Sequence, residues 1–250
     1  MCLRCKAALN AHTVRSPGSP GRDVDVFTDS HAFAATGATV ERMGVIRFQR
    51  IASRARLYVA DEFLAPAEIE HAQAVGRSAE QDERVATGKR DGTGYSYEMP
   101  VAGDATLGAI GRRIAIALGY ANAAGGTFRY RRYRPTEAHP LHGDTFRIGS
   151  ADLVATAMLW LTDDCEGGET YFPDAGPAVT LSARQGRLAV WLNYRADGTA
   201  DPAAVHLARP VTRGEKITLT EFVYGTPPGT PAFAAGLEPE RTIDGVRLAE

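Results

Sequence analysis

The chain has 250 residues, 44% of them hydrophobic and 23% charged. A globular chain of this length buries a sizeable core without disulfide or metal staples. Its 28 basic and 30 acidic residues leave a formal charge of −2. That balance excludes the broad basic field of a nucleic-acid binder and the polybasic patch of a membrane-surface protein.

No run approaches the roughly 18 apolar residues that mark a transmembrane helix. The three cysteines, Cys2, Cys5 and Cys165, are too few for a disulfide framework, so a reducing, cytoplasmic setting is expected. The first residues are basic but lead into no apolar segment, and no secretory signal is expected. Residues 1–44 carry a run of breakers from Ser16 to Gly21 and then no sustained period, which reads as an irregular segment. Cys2 and Cys5 have metal-ligand spacing but no second pair, so they are read as ordinary thiols.

Regular patterning starts at Val45. Residues 56–60 read as a strand. A helix follows from Pro66, a first-turn proline with Glu68 and Glu70 behind it, to about Ala79. Residues 81–93 are polar and glycine-bearing, hence a loop. Asp104 is a good N-cap for a second helix, whose apolar stripe is Leu107, Ile110, Ile114 and Leu118. Beyond Gly125 and Gly126 the period falls to two. Residues 127–134, 153–161, 170–172, 179–181, 188–193 and 216–224 read as strands between turn residues. Helices first and many short strands afterwards predict an α+β chain with a mainly β body. Residues 226–250, with Pro227, Pro228 and Pro231, read as a tail.

Six histidines make placement informative. His142 and Asp144 stand two apart, which on an extended backbone puts both on one face. An imidazole and a carboxylate so placed can hold adjacent sites of one metal. His206 is the best third ligand, and two histidines with one carboxylate make the facial triad of non-haem Fe(II) oxygenases. By itself the pair is weak, since a loop His beside a turn-capping Asp gives the same spelling. Tyr133, nine residues before His142, and Lys216, ten after His206, are placed to meet a carboxylate ligand of that metal.

In this order the residues resemble the Fe(II)/2-oxoglutarate-dependent dioxygenases of the prolyl 4-hydroxylase type. The likeness runs from Tyr133-Arg134-Pro135 to His142-Gly143-Asp144. It continues through Met158 to Pro173, with Glu166-Gly167-Gly168-Glu169-Thr170 at its centre, and through Gln185 to Trp191. It closes with Asp197 to His206, Pro210-Val211 and Gly214-Glu215-Lys216. The resemblance implies a double-stranded β-helix, a cupin-like jelly roll with N-terminal helices packed on one sheet. It implies one catalytic domain over residues 45–225.

It further implies His142, Asp144 and His206 as iron ligands. Lys216 would pair with the distal carboxylate of 2-oxoglutarate, and Tyr133 would hydrogen-bond there. The implied reaction uses dioxygen to hydroxylate an unactivated C–H bond of a peptidyl side chain, free amino acid or small metabolite, releasing succinate and CO2, with ascorbate as activator. Asp144 favours hydroxylation, because related halogenases lack that carboxylate. The alternative is a non-catalytic cupin-like module that binds metal or ligand.

Departures from the family pattern fall on the substrate side. His139 stands where a tyrosine is usual, Phe222 where tryptophan is frequent, and Leu153 where an arginine is common. His139, Phe222 and Trp160 are therefore substrate-side candidates, although a tryptophan in a strand is more ordinarily core. Arg129, Arg131 and Tyr133 share one face of their strand, opposite Arg132 and Arg134.

Overall fold

The computed structural model describes residues 48–81, 93–118 and 126–227, with a short strand pair at 242–243 and 246–247. The segment 1–44, with Cys2 and Cys5, and most of the tail beyond 225 lie outside the described residues. The chain starts with strands β1 (Gln49–Arg50) and β2 (Leu57–Ala60), then helix α1 (Pro66–Gln81). Strand β3 (Tyr95–Pro100) and helix α2 (Ala105–Leu118) follow. Then come β4 (Thr127–Tyr133), β5 (His139–His142), β6 (Arg147–Ile148) and β7 (Ala151–Trp160). The second half holds β8 (Glu166–Gly167), β9 (Thr170–Phe172), β10 (Val179–Leu181), β11 (Leu188–Leu192), β12 (His206–Ala208), β13 (Val211–Arg213) and β14 (Lys216–Gly225).

The main sheet runs β1-β2-β11-β7-β14-β4-β3, with β6 attached to β7. A smaller sheet, β10-β9-β12-β5, and the pair β13-β8 complete an antiparallel double-stranded β-helix. Alternation along the main strands divides their residues between two cores. Ile217, Leu219 and Val223 of β14, Val190 of β11 and Tyr130 of β4 meet Ile69, Leu107, Ile110 and Ile114 of the two helices. Trp191, Met158 and Trp160, on the other face, meet Phe172 and Leu181 of the smaller sheet. The fold is thus α+β and mainly β, with both helices covering the outer face of one sheet. Among the described residues no helix is long and apolar enough to cross a membrane.

Local chemistry explains the helices. The Glu68 carboxylate accepts from the Ala65 N–H at 2.9 Å, closing the start of α1. Asp104 Oδ1 accepts from the N–H groups of Thr106 and Leu107, at 3.0 and 2.9 Å, and caps α2. His71 Nε2 lies 2.7 Å from Asp104 Oδ2 and links the two helices. Gly76 brings α1 down on the sheet, because a Cβ there would overlap the Tyr130 ring. Arg132, 3% exposed, grips Glu80 at the end of α1 through Nε and Nη2, and reaches Glu215 at 3.4 Å. This ties α1, β4 and the turn before Lys216 together.

The sequence reading has no strand between the helices, whereas the structure has β3 there. Among the described residues it pairs on one side only, with β4, which makes it an edge strand. Tyr95, Tyr97 and Met99 alternate with Ser96 and Glu98, the period of a half-buried strand, and Pro100 sits at its last position, where an edge tolerates proline. Helix α1 also extends two residues past the expected Ala79, to Gln81.

Candidate metal centre

The cross-strand register of the smaller sheet assembles the site. Strand β12 pairs with β5 so that His206 stands opposite His142. Residues 64 positions apart in sequence thus become neighbours, with ring centroids 4.3 Å apart. Asp144, two residues beyond β5, turns inward and is buried. His142 Nε2 lies 3.5 Å from Asp144 Oδ1, and His206 Nε2 lies 3.9 Å from Oδ2. One ligand atom from each of the three falls within 4.8 Å of the others. Among the described residues this is the one such cluster of metal-ligating side chains.

The surroundings orient each donor. His142 Nδ1 is 2.9 Å from the Pro140 carbonyl, and His206 Nδ1 is 3.0 Å from that of Ala204. A carbonyl only accepts, so both Nδ1 atoms carry the proton and both Nε2 lone pairs face inward. Burial, only partly opposed by Asp144, pushes His206 down to about 4, so it is neutral near pH 7. Asp144 Oδ2 accepts from Thr156 Oγ1 at 2.8 Å and Trp191 Nε1 at 3.2 Å. Asn193 Nδ2 supports Thr156 in turn, at 3.3 Å from Oγ1. Two imidazoles with Nε2 inward and a carboxylate held by its far oxygen fit a divalent transition metal such as Fe(II).

One cavity opens over this centre. Its walls include Tyr133, His139, Met158, Thr170, Lys216 and Phe222. Lys216 is 1% exposed, and its ammonium donates to the Gly168 carbonyl at 2.7 Å and to Thr170 Oγ1 at 3.3 Å. Gly168 has φ +70°, and a Cβ there would crowd Val211 and the Lys216 stem. Burial lowers Lys216 to about 8. Its Nζ lies 5.2 Å from the Tyr133 ring centroid. Tyr133 is itself buried, which raises its phenol. Cys165 packs near this group, and burial raises its thiol too.

The substrate-side candidates separate. His139 lines the cavity with its ring 4.2 Å from that of His142, and burial lowers it to about 4. Phe222 also lines the cavity. Trp160 does not: it is fully buried in the inter-sheet core, so its place is packing rather than substrate contact. Sequence reasoning treated Trp191 as core and gave Thr156, Thr170 and Asn193 no role. Their contacts with Asp144 and Lys216 cross strands, where no local pattern reaches.

No protein-family model matches the sequence. Prolyl 4-hydroxylase 1 of Arabidopsis thaliana is 28% identical over 211 residues, covering 74% of this chain and 75% of the relative. Probable prolyl 4-hydroxylase 4 of the same plant is 21% identical, covering 71% and 70%. Among solved structures, the viral collagen prolyl hydroxylase of Paramecium Bursaria Chlorella virus-1, in its 2OG complex, superposes with a TM-score of 0.53 at 17% identity, covering 68% of this chain and 96% of that one. A Pseudomonas putida prolyl-4-hydroxylase gives 0.53 at 17% identity, covering 67% and 91%. Along about three quarters of its length the chain is thus similar to proteins named prolyl 4-hydroxylase, and its fold is that of solved prolyl hydroxylases.

Proposed function

We propose that the chain is an Fe(II)- and 2-oxoglutarate-dependent dioxygenase that hydroxylates an unactivated C–H bond. The observation that carries this reading is the convergence of His142, Asp144 and His206, donors inward, on the floor of a cavity that also holds a buried lysine with no ion pair among the described residues. In this reading the three residues would hold iron, and the cavity beside them would receive co-substrate and dioxygen. Bound iron supplies the redox chemistry that couples decarboxylation of 2-oxoglutarate to oxygen insertion.

The chain's own groups do the rest. Trp191 and Thr156 fix the Asp144 carboxylate, so one oxygen is committed to the metal. Lys216 takes the distal carboxylate of 2-oxoglutarate, with Thr170 and Tyr133 beside it. A lysine in a dry pocket gains more from a carboxylate partner than one in water. The catalytic unit is residues 45–225, with 1–44 and 226–250 as appendages. A substrate that is a peptidyl side chain, amino acid or small metabolite, a cytoplasmic setting inferred from the three cysteines, and ascorbate as activator complete the reading.

The test is purified protein with Fe(II), ascorbate and 2-oxoglutarate under air. Succinate should form slowly without substrate, and faster with a pool containing the substrate. His206→Ala and Asp144→Ala should abolish it and lower retained iron. Iron and 2-oxoglutarate binding with no succinate from any pool would instead make the chain a non-catalytic binding module.

A further inference from the structure

Strand β4 turns Arg129, Arg131 and Tyr133 toward the cavity, and the two arginines meet different fates. Arg129 is neutralised: its Nε lies 2.5 Å from Glu98 Oε1, and its guanidinium sits over the Phe222 ring at 4.8 Å. Arg131 has no ion pair among the described residues. Its Nη1 donates to the Tyr133 hydroxyl at 3.3 Å, and its Nε is buried with no hydrogen-bond acceptor among the described residues. A buried guanidinium N–H without an acceptor is costly, more so when the group is charged. Thr218, buried and cavity-lining, stands across from Arg131 in the β14–β4 register and adds a hydroxyl.

Charge balance shows what is missing. In the loaded site a divalent metal is offset by Asp144 and one carboxylate of 2-oxoglutarate. Lys216 is offset by the other carboxylate, and Arg129 by Glu98. Arg131 remains as a cation in a cavity with low-dielectric walls. We propose that Arg131 anchors a carboxylate of the substrate, so that the site accepts an organic acid or a free amino acid in preference to a neutral peptide segment. The guanidinium fork matches a carboxylate in geometry as well as charge. Met158, Phe146 and Phe222 line the same cavity, and Phe146 is 57% exposed at its rim, so the acid has an apolar body. This inference rests on the dioxygenase reading and deepens it.

The experiment uses the protein loaded with Fe(II) and saturating 2-oxoglutarate without oxygen. Phenylacetate and its neutral twin phenylacetamide are titrated in by calorimetry. The acid should bind at least tenfold more tightly than the amide. Arg131→Met should erase that difference while leaving 2-oxoglutarate affinity within about twofold, and Arg131→Lys should retain part of it. Circular dichroism checks that the variants fold. Equal binding of acid and amide by the native protein overturns the proposal. So does an Arg131→Met loss of 2-oxoglutarate affinity as large as that of Lys216→Ala, because Arg131 would then serve the co-substrate. Succinate formation under air, measured on the same native preparation without either probe, reports on the dioxygenase reading alone.

Discussion

Glu221 gives the sharpest test of the fold's energetics. It lies on β14 between Leu219 and Val223, faces the helix-covered core, and is 7% exposed. Among the described residues its Oε2 has no hydrogen-bond partner. Burial therefore pushes its carboxyl from the ordinary 4.5 up to about 9. In the folded chain Glu221 holds its proton at pH 7, whereas in the unfolded chain it has lost it. The folded state then binds more protons, so stability is full below pH 4.5 and falls as pH rises toward 9. At pH 7 the shift costs about 3 kcal/mol, and between pH 5 and pH 8 the cost grows by about 4 kcal/mol. Glu221→Gln cannot ionise and removes this slope. Urea unfolding of both proteins at matched metal content, from pH 5 to pH 8, should show the variant gaining about 4 kcal/mol relative to the native chain across that range. A difference that stays flat with pH would mean that the carboxyl has a partner or reaches water, and the argument from burial would fail.

Other outcomes follow from the same geometry. Trp191→Phe removes the indole donor to Asp144 while keeping a large apolar ring; iron affinity by competitive chelation should fall about 10- to 100-fold. Lys216→Ala should raise the apparent requirement for 2-oxoglutarate far more than that for iron, as read by succinate formation at varied concentrations of each. Because burial brings Lys216 down to about 8, 2-oxoglutarate affinity in the native protein should weaken about tenfold per pH unit above that value, and the slope should vanish in Lys216→Ala. Gly76→Ala forces a methyl into the Tyr130 ring and should cost about 1–3 kcal/mol in urea unfolding, with the metal site intact.

Much of this architecture was legible because it is periodic. The apolar stripe of α2, the alternation along β4 and β14 and the apolar runs of β7 and β11 announce themselves in a single sequence. So do the breakers between them, and the i, i+2 spacing of His142 and Asp144. Strand β3 carries alternation too, Tyr95, Tyr97 and Met99 against Ser96 and Glu98, but it is a short run between a glycine-bearing loop and Pro100 and was passed over. The oxygen-holding role of Trp191 was hidden as well. Its indole meets Asp144 across 47 residues, and only the register of β11 against β7 brings it there. Arg129 and Arg131 look alike in sequence. Glu98, 31 residues before Arg129 and on the unforeseen β3, is what sets them apart.

The alternation of β14 has a consequence for how such a protein changes. Lys216, Thr218, Thr220 and Phe222 line the cavity, while Ile217, Leu219 and Val223 hold the helices. Selectivity and folding are therefore written on interleaved positions of one strand, with little overlap. Substitutions at Thr218, Thr220 or Phe222 can remodel what the site accepts and leave the helix interface untouched. An insertion of one residue after Lys216 does the reverse, exchanging the two sets for the rest of the strand at a stroke. The strand is tolerant of point changes and intolerant of length changes, and new specificities in this fold are open to the first route and closed to the second.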